Sequence, residues 1–569
     1  MRIFYTSLFL LLLINCTPSI AQNGDQALKK QHERLYKDLE LISPHIESLV
    51  EDLSKGVLVE IENEKIYATS VLAKFYQNIG YAPAWKDLGA LQQAIQALEE
   101  SFNDGLLPVD YHVDVLTSIV AKMEESKGNG VVNHEWVAKF DLLMTDAILL
   151  YAFHLMDGKI DPHSLDVQWN FGYAELPGGD GKALAEAIQN HTLLQELHAL
   201  RPDIPSYSSL MRELAEYRTI AENGGWGTVS AGGKIDPGDN DSRIPQIRRR
   251  LEITGDLSDL NNMNSEEYDQ SLEKDVQYFQ ERHGLEADGV IGKASFAAMN
   301  VPVETKIDMI RINLERFRWV VHNLTENYIV VNIAQFQAYV VRNNERVFDT
   351  KVQVGTDLNK TPVFRSQLQY IEFNPTWTVP RSITVKEMIP KIKKDHNYLS
   401  DRNMVLLDGS GRVVPMSSAD YDAISANNFP YTVRQEPGPG NALGQVKFIF
   451  PNQYAVYLHD TPSKYLFDKA NRSFSHGCIR TQNPIALAEV LLEGSKWDKQ
   501  KIRETLDSKL TTRALFDEPM DVLLLYWTAG LYQQKSVFFY PDIYERDALI
   551  LEKLNRDVEK VAFRFNLQE

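Results

Sequence analysis

The chain has 569 residues, 78 Asp and Glu against 59 Lys and Arg, and a formal charge of −19. Such a length exceeds what one core supports, so three or more domains are expected, and the 44% hydrophobic content fits a globular chain. The acidic balance argues against nucleic acid, and against capture by an anionic surface, as the main mode of binding. The two cysteines are Cys16 and Cys478, so stability must come from core size and not from cross-links.

At the amino terminus Arg2 precedes an apolar run, Leu8 to Ile14, followed by Ser19-Ile20-Ala21. That is the charged, apolar, small-residue order of a secretory signal, so residues 1–21 read as a signal peptide cleaved after Ala21. A rival reading makes Cys16 the lipid-bearing cysteine of an anchored protein. Both predict export. No later stretch reaches the roughly 18 to 20 apolar residues of a membrane span.

From 27 to 222 the text is mostly helical and reads as a scaffold. Ala27 to Leu53 carries Leu35, Leu39, Leu41, Ile42 and Ile46 near helical spacing, with a break expected at Pro44. Leu72, Phe75, Tyr76 and Ile79 repeat the pattern before Ala82-Pro83-Ala84-Trp85, Leu91 to Phe102 resumes it, and Asp104-Gly105-Leu106-Leu107-Pro108 stops it. Val137 to Met156 is a long apolar helix whose Asp141, Asp146 and His154 read as solvated or capping groups.

The Gly- and Asp-rich stretch Asn223 to Asp241 marks a boundary. Residues 242–300 then read as a small helical bundle, with helices at Ile244 to Leu251, Tyr268 to Phe279 and Ala294 to Met299, and tight turns at Gly289 and Gly292.

From Asn327 the period becomes alternating, with Tyr328, Val330 and Asn332, then Ala338 and Val340, then Val352 and Val354. A mostly antiparallel β domain is expected over 327–500, with further strands at Tyr370 to Val379 and Lys447 to Leu458. Residues 381–440 hold few strand signals, a helix at Val385 to Ile392 and the loop Pro437-Gly438-Pro439-Gly440, and read as an insertion capping the sheet. Its Lys386, Lys391, Lys393 and Lys394 read either as a solvated face or as a steering patch for anionic ligands. Ile485 to Leu492 returns to helix. Residues 501–569 add a strand, Val522 to Tyr526, and a helix, Ala548 to Phe563. The fold class is multidomain α+β.

The chemistry concentrates in Ser475-His476-Gly477-Cys478-Ile479-Arg480, with His459 lying 19 residues before Cys478. A thiol attacks as thiolate, and an imidazole can take its proton and later return one to a leaving amine. Cys478 is the candidate nucleophile and His459, at the end of Val456-Tyr457-Leu458, the candidate proton donor and acceptor. Gly477 allows close backbone approach, and its N–H and that of Cys478 are candidates for an oxyanion hole. His476 is either a second base or a loop brace. Arg480 reads either as a partner for a substrate carboxylate or as a brace of the loop, and Ser475 and Trp377 are candidate substrate contacts. One Cys and scattered His residues build no thiolate-rich zinc site, so neither metal nor cofactor is expected.

This run with His459 ahead of it resembles the signature of the L,D-transpeptidase family, or YkuD-domain family. Asp460 stands where Gly is usual. Phe373-Asn374-Pro375-Thr376-Trp377-Thr378-Val379-Pro380, Pro437 to Gly444, Leu524-Leu525-Tyr526-Trp527 and Pro541-Asp542-Ile543-Tyr544 resemble the long YcbB-type members, and Asp241 to Asn300 resembles the peptidoglycan-binding type 1 module. The resemblance implies a periplasmic enzyme of cell-wall biogenesis in which Cys478 forms a thioester with a tetrapeptide stem, D-alanine leaves and a neighbouring stem's amine receives the acyl group. It also implies carbapenem β-lactams as covalent inhibitors. Water as acceptor would give an L,D-carboxypeptidase or a wall-attachment hydrolase, and a silent Cys478 would leave a wall-binding scaffold.

Overall fold

The structure is a computed structural model that describes residues 21–127, 132–165, 169–173, 180–230, 232–322, 324–415, 424–425, 428–532, 536–556 and 558. The expected signal run up to residue 20, Cys16 and the end of the expected last helix lie outside the described residues.

The amino-terminal region is helical, as its periodicity implies, but its first break is misplaced in the sequence reading. Helices run Ala21–Leu35 and Leu39–Ser54, and Pro44 sits inside the second. Pro44 is the sixth residue of that helix, where it removes one bond from the ladder, and the helix continues through it with Ile42, Ile46, Val50 and Leu53 packed in the scaffold core. A hairpin follows, β1 (Glu60–Ile61) against β2 (Glu64–Lys65), and then helices that pack around the long helix His134–Asp157.

The polar residues of that helix correct the expectation of solvated or capping groups, since Asp141, Asp146 and His154 are all fully buried. Each is held by groups that would otherwise be orphaned inside the protein. Asp141 accepts the N–H groups of Ala84 and Trp85 and the Tyr76 hydroxyl, Asp146 accepts those of Tyr67 and Ala68, and His154 meets the Tyr111 hydroxyl. Desolvation pushes Asp141 up to about 6.

Residues around 242–300 form a bundle with its own core, built on helices Ile244–Ile253, Gln270–Arg282 and Lys293–Met299. Val276, Phe279, Ile291 and Phe296 lie in that core. The Gln280 side chain bonds the carbonyl of Val290, the Ser295 hydroxyl, Asp288 and the Gly289 N–H, closing the turn before the last helix.

The β region is built on β3 (Tyr328–Asn332), β4 (Gln337–Arg342), β5 (Glu345–Gly355), β6 (Phe364–Phe373), β11 (Val446–Ile449), β12 (Leu458–His459), β13 (Ser473–Ser475), β14 (Ile479–Thr481) and β15 (Thr512–Leu525). They form one nine-stranded sheet in the order β13-β5-β14-β12-β11-β6-β15-β3-β4, and β4 also pairs with β5, so the sheet closes on itself. It is more mixed than expected, because β12–β14, β13–β5 and β15–β3 are parallel.

Two elements tie the regions together. Helix Val303–Val321, absent from the sequence reading, is almost wholly buried, and helix Pro205–Glu222, expected within the scaffold, packs against it in the core shared with the β region. The tail is also no appendage, since β15 runs between β6 and β3 in the middle of the sheet. A terminal pair, β16 (Ala529–Tyr532) and β17 (Ser536–Phe539), receives the bundle through Arg282, which donates to the Val537 carbonyl.

Between β6 and β11 the chain leaves the sheet to build the cap, which is more ordered than its text suggests. Strands β7 (Trp377–Thr378), β8 (Met404–Leu407), β9 (Val413–Val414) and β10 (Thr432–Gln435) make a four-stranded sheet in the order β7-β10-β8-β9, with a separate core under the helical run Arg381–Lys394. Lys386, Lys391, Lys393 and Lys394 are exposed on that run.

One buried cluster fixes a pH response. His112 bonds Asp146 through Nε2 (2.9 Å) and Glu64 through Nδ1 (3.3 Å). Burial lowers its affinity for a proton, but the two carboxylates outweigh this and raise it to about 9. The native state therefore holds this proton more tightly than the unfolded chain, so the stabilisation is complete below the ordinary histidine range and is lost as pH rises through about 9. Thermal unfolding should show the wild type losing on the order of 3 kcal/mol between pH 6.5 and 9 relative to His112→Gln; parallel stability curves for the two proteins would contradict the assignment.

Candidate active site

Short strands and one tight turn position the candidate residues. β12 and β14 pair in parallel, Leu458 with Ile479 and His459 with Arg480, and the Ile479 N–H donates to the Tyr457 carbonyl (3.0 Å). Side chains alternate along a strand. Leu458 and Ile479 therefore enter the core, while Tyr457 and His459 on one chain, and Cys478 and Arg480 on the other, share the outer face.

The turn that carries Cys478 is braced from several sides. Ser475 Oγ accepts the Gly477 N–H (3.1 Å) and donates to the Cys478 carbonyl (2.6 Å). Ser475 is thus a brace, and the Gly477 N–H, expected as an oxyanion donor, is already bonded within the turn. Gly477 lies at φ +113°, a conformation that disfavours a side chain. Thr361 Oγ1 donates to the Gly477 carbonyl and accepts the Gly355 N–H, both at 2.9 Å, and the Tyr544 hydroxyl donates to the Gly355 carbonyl (2.6 Å) while accepting the Thr361 N–H (3.1 Å). The carboxy-terminal Tyr544 thereby reaches the nucleophile turn through one intermediate loop.

Cys478 is a free, partly buried thiol directed at the Ala455 carbonyl (3.8 Å). Burial raises its pKa above the ordinary thiol value, more than the neighbouring Tyr457, Lys447 and Arg480 lower it. His459 is buried, and its Nδ1 lies 2.5 Å from the Asp460 carbonyl. A carbonyl only accepts, so Nδ1 carries the proton and Nε2 keeps its lone pair. Burial first, then the Arg480 charge, drives His459 down to about 3. The resting pair is a neutral thiol and a neutral imidazole.

Asp460 has a defined place. It accepts the Thr461 N–H (2.7 Å), the Gln445 N–H (2.9 Å) and the Lys464 ammonium (2.6 Å), holding the end of β12 to the start of β11. Gly444, at φ +60°, makes room for it, since a Cβ there would lie 2.2 Å from the Asp460 carboxylate.

The remaining expected residues separate. His476 turns from the thiol and pairs with Glu387 of the cap (3.0 Å), so it joins the nucleophile turn to that subdomain. Trp377 stands in the cap sheet and packs on the cap's core. Arg480 donates to Gln353 Oε1 (3.2 Å). Two residues at the site were missed: Tyr457, whose ring centroid is 5.6 Å from that of His459, and Lys447, cross-strand from His459 with its ammonium 4.0 Å from the Tyr457 ring centroid. Strand alternation around His459 would have pointed to Tyr457, but Lys447 needs the register.

Residues 326–499 match the family model described as the L,D-transpeptidase catalytic domain (YkuD). The chain carries an L,D-transpeptidase catalytic domain. Residues 70–214 match a scaffold domain, and residues 240–299 match a "Putative peptidoglycan binding domain". A protein of Haemophilus influenzae named "Putative L,D-transpeptidase" is 38% identical over 235 residues, which is 41% of this chain and 47% of that protein, so the matched part spans about half of the relative. Crystal structures of L,D-transpeptidases from Xylanimonas cellulosilytica and Stackebrandtia nassauensis align at 13% and 12% identity, each covering 52% of this chain and 99% and 96% of the other, with TM-scores of 0.17 and 0.21 that add no weight.

The neutral resting pair has a measurable consequence. Alkylation of Cys478 by iodoacetamide should rise nearly tenfold per pH unit from pH 5 to 8, because the thiolate fraction does. A plateau across that range would reveal a preformed thiolate–imidazolium pair. His476→Ala, which breaks an exposed ion pair, should change the rate at pH 7 by less than about twofold.

Proposed function

We propose that this protein is an exported L,D-transpeptidase that forms 3-3 cross-links between peptidoglycan stems. The observation that carries the reading is His459, fixed by Asp460 as the tautomer that accepts at Nε2, on the same sheet face as the Cys478 thiol. Burial holds it neutral at rest, so the Nε2 lone pair is free to take the thiol proton as the sulfur attacks.

In the first half-reaction the Cys478 sulfur attacks the carbonyl carbon preceding the terminal D-alanine of a tetrapeptide stem, while its proton passes to His459 Nε2. The carbonyl oxygen becomes an oxyanion. With the Gly477 N–H occupied, the donors left for it are the Cys478 N–H and the Tyr457 hydroxyl, which burial keeps protonated. Collapse breaks the C–N bond, His459 returns the proton to the departing amine, and a thioester remains. In the second half-reaction an amine of a neighbouring stem attacks the thioester, gives its proton to His459, and the thiolate leaves and is reprotonated. Export follows from the leader-like amino terminus, with Cys16 the candidate lipid site. Carbapenems would acylate the same sulfur through their strained carbonyl.

Purified protein incubated with disaccharide tetrapeptides should release D-alanine and yield 3-3 dimers, and Cys478→Ala should yield neither. Release of D-alanine without dimers would replace the cross-linking reading with a carboxypeptidase. His459→Gln should slow turnover about 10²- to 10⁴-fold, the span expected for loss of a general base.

A further inference from the structure

The register of the sheet places a row of polar residues on the outer face. Gln353 of β5 lies opposite Arg480 of β14, Arg480 opposite His459 of β12, His459 opposite Lys447 of β11, Lys447 opposite Glu372 of β6, and Glu372 opposite Arg513 of β15. The catalytic imidazole therefore has a cation on each side.

Neither cation is neutralised by a carboxylate in contact with it. Arg480 spends one nitrogen on the neutral Gln353, while its Nε is buried and unpartnered among the described residues, as is the amide nitrogen of Gln353, a fully buried side chain. Lys447 is half-buried, with its ammonium over the Tyr457 ring. The nearest acid in the row, Glu372, is held by Arg513 (2.9 Å), and Lys447 makes no recorded ion pair among the described residues. Burial disfavours the charged ammonium more than Glu372 and the sulfur support it. Partly desolvated cations without counter-ions cost stability, and a ligand that brings negative charge recovers it.

We propose that Lys447 and Arg480 form two carboxylate-binding positions flanking the Cys478–His459 pair, so that the preferred acyl donor is a peptide with free carboxylates on both sides of the scissile amide. The inference rests on Cys478 being the acyl carrier and adds the charge state of what it carries. A donor amidated at its side-chain carboxylates would lose one of these contacts, and the terminal carboxylate of the leaving residue would keep the other. Guanidinium and ammonium differ in kind here: Arg480 offers a planar donor edge, Lys447 a point charge that can shift along the Tyr457 ring.

The test uses two small alkylating probes of one size, anionic iodoacetate and neutral iodoacetamide, with modification of Cys478 followed by peptide mass spectrometry. The ratio of their rates should fall about tenfold or more in Lys447→Met and in Arg480→Gln, as expected for loss of a charge-assisted hydrogen bond. Lys447→Arg should retain it, and Lys386→Met, which removes an exposed charge from the cap, should leave it unchanged. An unchanged ratio in both site variants overturns the proposal, a fall in only one overturns the paired arrangement, and an equal fall in Lys386→Met reduces the effect to bulk charge. A tetrapeptide stem and its side-chain-amidated form are then compared as acyl donors. Preference for iodoacetate without any stem adduct would sink the transpeptidase reading and leave the anion positions standing. A stem adduct formed equally from both donors would do the reverse.

Discussion

The two-residue parallel pairing of β12 with β14 is the constraint on which the site depends. His459 and Cys478 belong to different strands, and nothing local requires their side chains to meet. Pairing Leu458 with Ile479 puts those two in the core and so forces Tyr457, His459, Cys478 and Arg480 onto the other face. A slip of one residue would turn one strand's set inward and separate the thiol from the imidazole. The remainder of the catalytic region holds that register: Tyr544 and Thr361 grip the nucleophile turn, Asp460 grips the end of β12, and β15 stiffens the middle of the sheet.

Burial then sets the chemistry. In water a thiol beside an imidazole can settle as an ion pair, but here desolvation acts on both partners in the same direction, towards their neutral forms. The Arg480 and Lys447 charges push His459 further that way while pulling weakly against the rise in Cys478. In the proposed reaction, proton transfer would then wait for the moment of attack, when a substrate carbonyl accepts the electrons.

What could be read from the sequence divides along the range of the interactions. The candidates Cys478 and His459 came from short motifs, and the structure sets them on one face of the sheet; the scaffold, bundle and β region were legible because helical and alternating periods are local. The burial of Asp141, Asp146 and His154 was not legible, since their partners are backbone groups of loops distant in sequence. Pro44 looked like a breaker because the core contacts of Ile42 and Ile46, which carry the helix through it, are tertiary and not local. The strands of the cap are two to four residues long, too short to show a period. Lys447 and Glu387 carry no motif at all; one reaches the site through cross-strand register and the other through the docking of the cap on His476. Gly477 was placed correctly in the turn, but the bond of its N–H to Ser475 depends on a side-chain rotamer.

The account stands or falls on whether Cys478 carries an acyl group. Intact-protein mass spectrometry after brief incubation with a tetrapeptide stem addresses this directly. The wild type should gain the mass of the stem less D-alanine, and Cys478→Ala should gain nothing. Absence of the adduct in the wild type, with the protein folded and its thiol free, or an equal adduct in Cys478→Ala, would contradict it.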